Sequence, residues 1–470
     1  MTSNRTPLHF ALMSVFLLAG CAVGPDYSRP ATSLPVHYME PTADAANDTS
    51  VVAPAWWELF NDPILNDLVS KALQNNADIQ LAAARIEEAD GVMREAGAAI
   101  FPEVDLDGSG SRTRASQLTA TPAPPNSPII RQNFKAAISS AFELDFWGKL
   151  RRASESARAQ ALATRYGKAT VEITLSGLVT QNYLALRALD AQIAVSKETL
   201  ASRENALKLI RNRLEGGIAS QLDVQQAEAA RAAIAAQIIN LAQQRALAEH
   251  QLAFLTATLD LKVAEGDVRQ LPIPPLPPAG LPSSLLEARP DVRQAEAQLI
   301  AANARIGVAK AALFPSISLT ASFGGESREL SDLFNSAAKI WSAGLDLSLP
   351  IFTAGKLTAR VDQATAQQKQ ALASYQKAVQ NAFMEVNDAL VTVRQTTEGE
   401  QALQAQVDAA QKTLKLAEAR YQAGYSPYLE VLDAQRTLND ATLSFIRNRQ
   451  TRLTAAIDLF KALGGGWSSS

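Results

Sequence analysis

Arg420-Tyr421-Gln422-Ala423-Gly424-Tyr425-Ser426-Pro427-Tyr428-Leu429-Glu430-Val431-Leu432-Asp433-Ala434-Gln435-Arg436 breaks a long helical pattern with a glycine and a proline, then restarts it. Glycine reaches φ > 0 and proline is tolerated only at the start of a helix, so the stretch predicts a tight helix–turn–helix tip. Arg213-Leu214-Glu215-Gly216-Gly217-Ile218-Ala219-Ser220-Gln221-Leu222-Asp223-Val224 reads the same way. A shift of 207 positions carries Gly217 onto Gly424, Arg213 onto Arg420, Leu222 onto Leu429, Asp223 onto Glu430, Val224 onto Val431 and Ala227 onto Ala434. One long hairpin therefore occurs twice.

The pattern around each tip repeats as well. Gly148-Lys149-Leu150 opens the first long helix and Gly355-Lys356-Leu357 the second, again 207 apart. No proline stands between Pro128 and Pro272, and Ala, Leu, Glu, Gln and Arg fill the interval. Residues 149–213 make a rod of roughly 98 Å at ~1.5 Å per residue. Residues 221–257 return as a shorter helix, with 355–422 and 428–463 as the counterparts. Shorter helices are expected at 63–75, 78–99 and 290–313. The last two end at Phe101-Pro102 and Phe314-Pro315, which are 213 apart, so the first half has six extra residues, placed in the loop 112–132.

After each Phe-Pro the period changes to two. Val104, Leu106, Gly108 and Gly110 oppose Glu103, Asp105, Asp107 and Ser109, and Phe134, Ala136, Ile138, Phe142, Leu144 and Phe146 oppose Lys135, Ser139, Glu143 and Asp145. In the second half Ile317, Leu319, Ala321 and Phe323 alternate with serines and a threonine, and Trp341, Ala343, Leu345, Leu347, Leu349 and Ile351 form the matching strand. The organisation is a leader at 1–20, an arm at 21–62, repeat one at 63–271, a proline-rich linker at 272–283, repeat two at 284–463 and a tail at 464–470. Strands are expected at 101–111, 133–147, 315–324 and 340–351, and tips near 214–222 and 421–429.

Composition removes several classes of function. Net charge is −3, which leaves no footprint for nucleic acid. Charged residues make up 19% of the chain, below the roughly 25% of an ordinary soluble domain. With one cysteine (Cys21) and three histidines in unrelated contexts, no disulfide, metal site, cofactor or catalytic constellation is expected. Gly355-Lys356 fails as a phosphate loop, since Pro350 stands where the first glycine belongs and Leu357 where Ser or Thr would.

Arg5, the apolar run from Phe10 to Leu18 and the small residues before Cys21 make a secretory signal. Leu18-Ala19-Gly20-Cys21 looks like a bacterial lipobox, in which Cys21 is acylated. Each buried methylene contributes ~0.8 kcal/mol, so several chains, palmitate among them, hold a protein on a membrane without a spanning helix. Residue 22 is Ala and not the Asp associated with inner-membrane retention, which points to the outer membrane.

Four amphipathic strands cannot close a barrel, and an open sheet edge is not allowed in lipid. Three copies supply twelve strands. A soluble sheet beneath a coiled coil fits the alternation too, but the lipid anchor and the rarity of charge on the apolar strand faces favour the membrane version.

The lipobox, the start Cys21-Ala22-Val23-Gly24-Pro25-Asp26-Tyr27, the duplication, both Phe-Pro strand entries and the second tip together resemble a TolC-type outer-membrane efflux lipoprotein of the OprM/NodT branch. The resemblance implies a mainly α chain with a membrane β-barrel: a homotrimer with a 12-stranded β-barrel on a 12-helix α-barrel tunnel. It implies export of drugs or other small compounds, received from an inner-membrane RND transporter through a periplasmic adaptor (membrane fusion protein). It assigns Leu429, Asp433 and Arg436 to a periplasmic gate, with Tyr421 in the surrounding network. It makes the tips, with Arg213, Gly217, Ser220, Leu222, Arg420, Gly424 and Ser426, docking points for the adaptor. Asp433 and Arg436 are i, i+3, so three copies set both charges on a narrow ring. Their first-repeat equivalents, Gln226 and Ala229, carry no charge. Other readings are a type I-like protein-secretion channel, a metal-efflux channel, or a non-transporting structural or adaptor lipoprotein. A single hairpin splitting a β-rich domain would mark the adaptor, and two hairpins argue against it.

Overall fold

The computed structural model describes residues 22–31, 34–35, 37–40, 52–116, 118, 128–279 and 282–467. Seven helices of more than one turn are formed among them: α1 (Pro63–Asn75), α2 (Ala77–Ala98), α3 (Lys149–Glu215), α4 (Gln221–Leu255), α5 (Pro290–Ala311), α6 (Lys356–Gln422) and α7 (Tyr428–Ala462). The strands are β1 (Glu103–Arg114), β2 (Ile130–Glu143), β3 (Ser316–Ser327) and β4 (Lys339–Ser348). The halves match in length: α3 and α6 each have 67 residues, α4 and α7 each 35, and α2 and α5 each 22. At 1.5 Å per residue the two longest helices each run about 100 Å.

The residues divide into two units. The first comprises residues 86–164 and 295–375 with the described start of the chain, and it holds one antiparallel sheet of order β1-β2-β3-β4. Directly paired residues of an antiparallel ladder point to the same side. The register therefore places Leu106, Ile138, Phe323 and Trp341 in one row, and Val104, Ser140, Ala321 and Ala343 in the next. Phe142, Leu319 and Leu345 follow, and Leu144 N–H continues the ladder to the Ile317 carbonyl at 2.8 Å. This face is apolar and open, with Leu106 79% and Trp341 77% exposed. Its charges, Arg112, Arg114 and Lys339, stand only at the end of the sheet that carries the β1–β2 and β3–β4 loops. The opposite face carries Asp105, Ser139, Ser322 and Ser342 in one row and Glu143, Ser318 and Asp346 in another. Its hydroxyls bond sideways, Ser139 Oγ donating to Asp107 Oδ2 at 2.6 Å and Ser322 meeting Ser342 at 2.8 Å.

The strand limits differ from the alternation. β2 stops at Glu143 and β4 at Ser348, so Phe146, Leu349 and Ile351 lie outside the sheet. Phe146 N–H turns back to the Leu144 carbonyl at 3.0 Å, and Pro350 has no N–H to give a ladder. At the other end β1 and β3 run three residues further than expected, because Arg114 still pairs with Ile130 and Ser327 with Phe134.

The second unit comprises the described residues within 34–85, 165–294 and 376–467. Its core gathers Phe60, Leu65, Leu68 and Val69 with Val179, Tyr183 and Leu186 of α3 and Ile446, Leu453 and Phe460 of α7. Asp62 caps α1 by accepting from Ile64 N–H at 2.9 Å, and Tyr183 OH donates to its other carboxylate oxygen. Trp56 belongs to this core: it is fully buried and stacked on Phe460 at 5.4 Å between ring centres. Trp56→Ala is expected to lower stability by about 3–5 kcal/mol. Its measure is an earlier thermal loss of helical circular dichroism.

Candidate functional site

Both tips end their descending helix with the same device. At the first, Ile218 N–H reaches the Arg213 carbonyl at 2.8 Å and Gly217 N–H the Leu214 carbonyl at 2.9 Å. At the second, Tyr425 N–H reaches the Arg420 carbonyl at 2.9 Å and Gly424 N–H the Tyr421 carbonyl at 3.1 Å. This paired 6→1 and 5→2 closure needs a left-handed residue, supplied by Gly217 at φ 74° and Gly424 at φ 78°. The returning helices start differently. Ser220 and Asp223 cap α4 reciprocally, Asp223 N–H donating to Ser220 Oγ at 3.1 Å and Ser220 N–H to Asp223 Oδ2 at 3.0 Å. At α7 the cap position is Pro427, with no side-chain cap bond, and Ser426 Oγ is buried without a hydrogen-bond partner among the described residues.

The two tips pack together. Leu207, Ile210, Val224 and Ala227 share one buried cluster with Ala417, Tyr428, Val431 and Ala434. The Arg213 guanidinium lies 4.6 Å from the centre of the Tyr421 ring, and Tyr421 meets Tyr428 at 5.4 Å. Arg213 thus spans the two hairpins, a role that spacing alone did not suggest. Arg420 pairs with Glu430 at 3.5 Å. Burial pushes the Tyr428 phenol up to about 12, against the opposing pull of Arg203.

Leu429, Asp433 and Arg436 fall on one stripe of α7, facing away from that cluster. Leu429 is 56% exposed, and Arg436 Nη2 meets Asp433 Oδ1 at 3.1 Å with both side chains open. Within one protomer this is a surface pair worth ~0.2–1 kcal/mol. Arg203, Gln435 and Asn439 were missed by the sequence reading, though all three are buried close to that stripe. Arg203 lies on the face of α3 that also buries Ser196, Leu207 and Ile210, and its surroundings there carry no local sequence signal.

The start of the chain is held against the first unit. Val23 N–H donates to the Trp147 carbonyl at 2.9 Å, Asn303 Nδ2 to the Pro25 carbonyl at 2.9 Å and Arg152 Nη2 to Asp26 Oδ1 at 2.5 Å. Glu296 accepts Tyr27 OH at 3.1 Å and Arg29 through two bonds of 2.6 and 2.8 Å. Gly24 lies so near Gly307 that a Cβ on it would stand 2.5 Å from the Gly307 Cα. Cys21 lies outside the described residues.

A sheet with one lipid-compatible and one hydrophilic face, on a chain that also forms two long helical hairpins, defines a barrel-forming membrane channel subunit. The model of the outer membrane efflux protein family matches residues 68–258 and 281–465, and the chain belongs to that family. It is 38% identical to the solvent efflux pump outer membrane protein SrpC of Pseudomonas putida, over 98% of both chains. It is 34% identical to the cation efflux system protein CusC of Escherichia coli, over 96% of both. Among solved structures, the outer-membrane channel OprN superposes with a TM-score of 0.88 at 30% identity, over 95% of this chain and all of that one. The fold is the TolC-type, barrel-forming repeat. The protein is the outer-membrane, periplasm-spanning channel of a tripartite RND-type efflux system that exports small molecules. It works as a homotrimer with a periplasmic adaptor and an inner-membrane transporter.

Proposed function

We propose that Leu429, Asp433 and Arg436 form the periplasmic gate of this channel, with Tyr421 setting the position of the helix that carries them. The observation behind this reading is an uncapped, charged stripe at the start of α7 in the second hairpin alone. In a trimer the stripe recurs three times around a narrow ring, where pairs between protomers close the passage. A ring of carboxylates favours cations once the passage is open.

Gly217, Ser220 and Leu222 at one tip, and Arg420, Gly424 and Ser426 at the other, offer the ends of the hairpins to the adaptor. Arg213 serves the contact between hairpins through Tyr421. The proposed domain organisation follows the duplication, with 63–271 and 284–463 as the repeats. Cys21 is the acylation site. Its support is the clasp on residues 23–29, which holds the chain directly after Cys21 beside Trp147, four residues beyond the end of β2. Cys21→Ser is expected to abolish palmitate labelling and to lower the trimer recovered from the outer membrane several-fold. Undiminished labelling would place the lipid elsewhere.

The substrates are small apolar compounds of the organic-solvent and drug class, in line with the similarity to a solvent efflux protein. A second reading, export of metal cations, follows from the similarity to a cation efflux protein. Expression in a host lacking its own channel separates the two. Restored tolerance to solvent with a solvent-type pump supports the first reading, and restored tolerance only to metal cations replaces it with the second.

A further inference from the structure

Below the tips α3 runs antiparallel to α7. Thr199 Oγ1 stands 3.4 Å from Asn439 Oδ1, and further along Leu207 and Ile210 share a buried cluster with Val431 and Tyr428. In chain order Arg203 falls between Thr199 and Leu207, and Gln435 between Asn439 and Val431. Arg203 is 5% exposed and Gln435 6%. Arg203 Nε and Gln435 Oε1 are both buried and without a hydrogen-bond partner among the described residues. A donor and an acceptor thus stand unpaired in one helix–helix contact. Burial lowers the proton affinity of the Arg203 guanidinium, and only the Tyr428 phenol and the Asp440 carboxylate counter it electrostatically.

Other buried arginines of this unit have carboxylates beside them. Arg187 meets Asp190 at 3.6 Å, and Arg289 meets Asp291 and Glu385 at 2.7 Å each. The fold does not require an arginine at this level. The shift of 207 places the buried Ala410 at the equivalent of Arg203, and places Gln435 opposite Glu228, which is paired with Arg211 at 2.7 Å. Leaving a buried polar group unpaired is costly, and a buried charge more so. While the helices stay in contact, neither a neighbouring protomer nor an adaptor can reach the two buried atoms.

We propose that Arg203 and Gln435 are a positioning pair for gating. The α3–α7 contact has two settings: the one described, with Arg203 Nε and Gln435 Oε1 unpaired, and one in which α7 has shifted so that these two atoms pair or become hydrated. The unfavourable burial keeps the first setting from being too deep, so the second hairpin moves against the first. This inference rests on the channel reading but not on the assignment of Asp433 and Arg436.

Two chemically opposite changes test it. Gln435→Glu sets a carboxylate against the guanidinium, and Arg203→Met with Gln435→Met replaces both polar groups at similar volume. Either change deepens the described setting. Single purified trimers in planar bilayers should then dwell in one conductance level about tenfold longer than wild type or more. The trimer should also dissociate at no lower a temperature than wild type. An unchanged or shorter dwell in either variant overturns the proposal. A lower dissociation temperature in both also overturns it, marking Arg203 as ordinary packing. Recordings of Asp433→Ala/Arg436→Ala keep the two ideas apart. If that variant behaves as wild type while the 203 and 435 variants switch slowly, the gate assignment falls and this one stands. If no trimer conducts, the channel reading falls and takes this inference with it.

Discussion

Asp433→Ala combined with Arg436→Ala is expected to turn a small, mostly closed conductance into a several-fold larger and persistently open one. Inside one protomer the pair is open to water at 3.1 Å and contributes little. The large effect comes from repetition around the ring. If closure gives about 1 kcal/mol per protomer, three protomers give about 3 kcal/mol, which moves the ratio of open to closed by about a hundredfold. Salt supplies an internal check. Exposed charges are screened within about 10 Å at 0.1 M and about 3 Å at 1 M, so raising the salt should open the wild type more than the double mutant. Equal conductance in the two proteins, at both salt concentrations, would leave the channel intact and remove Asp433 and Arg436 from its gate.

Two adjacent residues of β3 should respond in opposite ways to the same substitution. Ala321 lies in the middle row of the apolar face, beside Ser140 and Ala343. Ala321→Arg puts a guanidinium near the centre of the bilayer, at about 2–4 kcal/mol per protomer and three times over in the trimer. The trimer recovered from the outer membrane should fall at least tenfold. Ser322 points to the other face and bonds Ser342 at 2.8 Å. Ser322→Arg should assemble at near wild-type levels and instead reduce the cation preference of the open pore, read as a shift in reversal potential under a salt gradient. Equal loss of trimer in both variants would contradict the assignment of faces.

The fold was legible because its signals are periodic. Alternation of two set the strand faces, the absence of proline over a hundred residues set the long helices, and the repeated glycine tips set the duplication. What the sequence left unread depends on contacts between distant segments. Pro350 marks the end of β4 in retrospect, yet Leu349 and Ile351 continue the alternation past it. Arg213 reads as one more tip residue until Tyr421, on the other hairpin, is found beneath it. The clasp of Tyr27 and Arg29 on Glu296 joins positions more than 260 residues apart, and no local pattern announces it. The candidate gate residues were legible through resemblance. Their one visible partnership, within a protomer, is the part that spacing had already suggested.

The equal helix lengths of the two halves bear on how such a chain can change over time. Adding one residue inside α3 would advance its tip by about 1.5 Å and turn everything beyond it by about 100°. That tip would then meet neither Tyr421 nor the opposite half at the same height. An insertion in a rod is therefore acceptable only if its twin receives the same one. The stretch between β1 and β2 need not match its counterpart between β3 and β4, and the sheet register places the six-residue difference between the halves there. Length in this protein is inherited in pairs along the rods and singly at the outer loops.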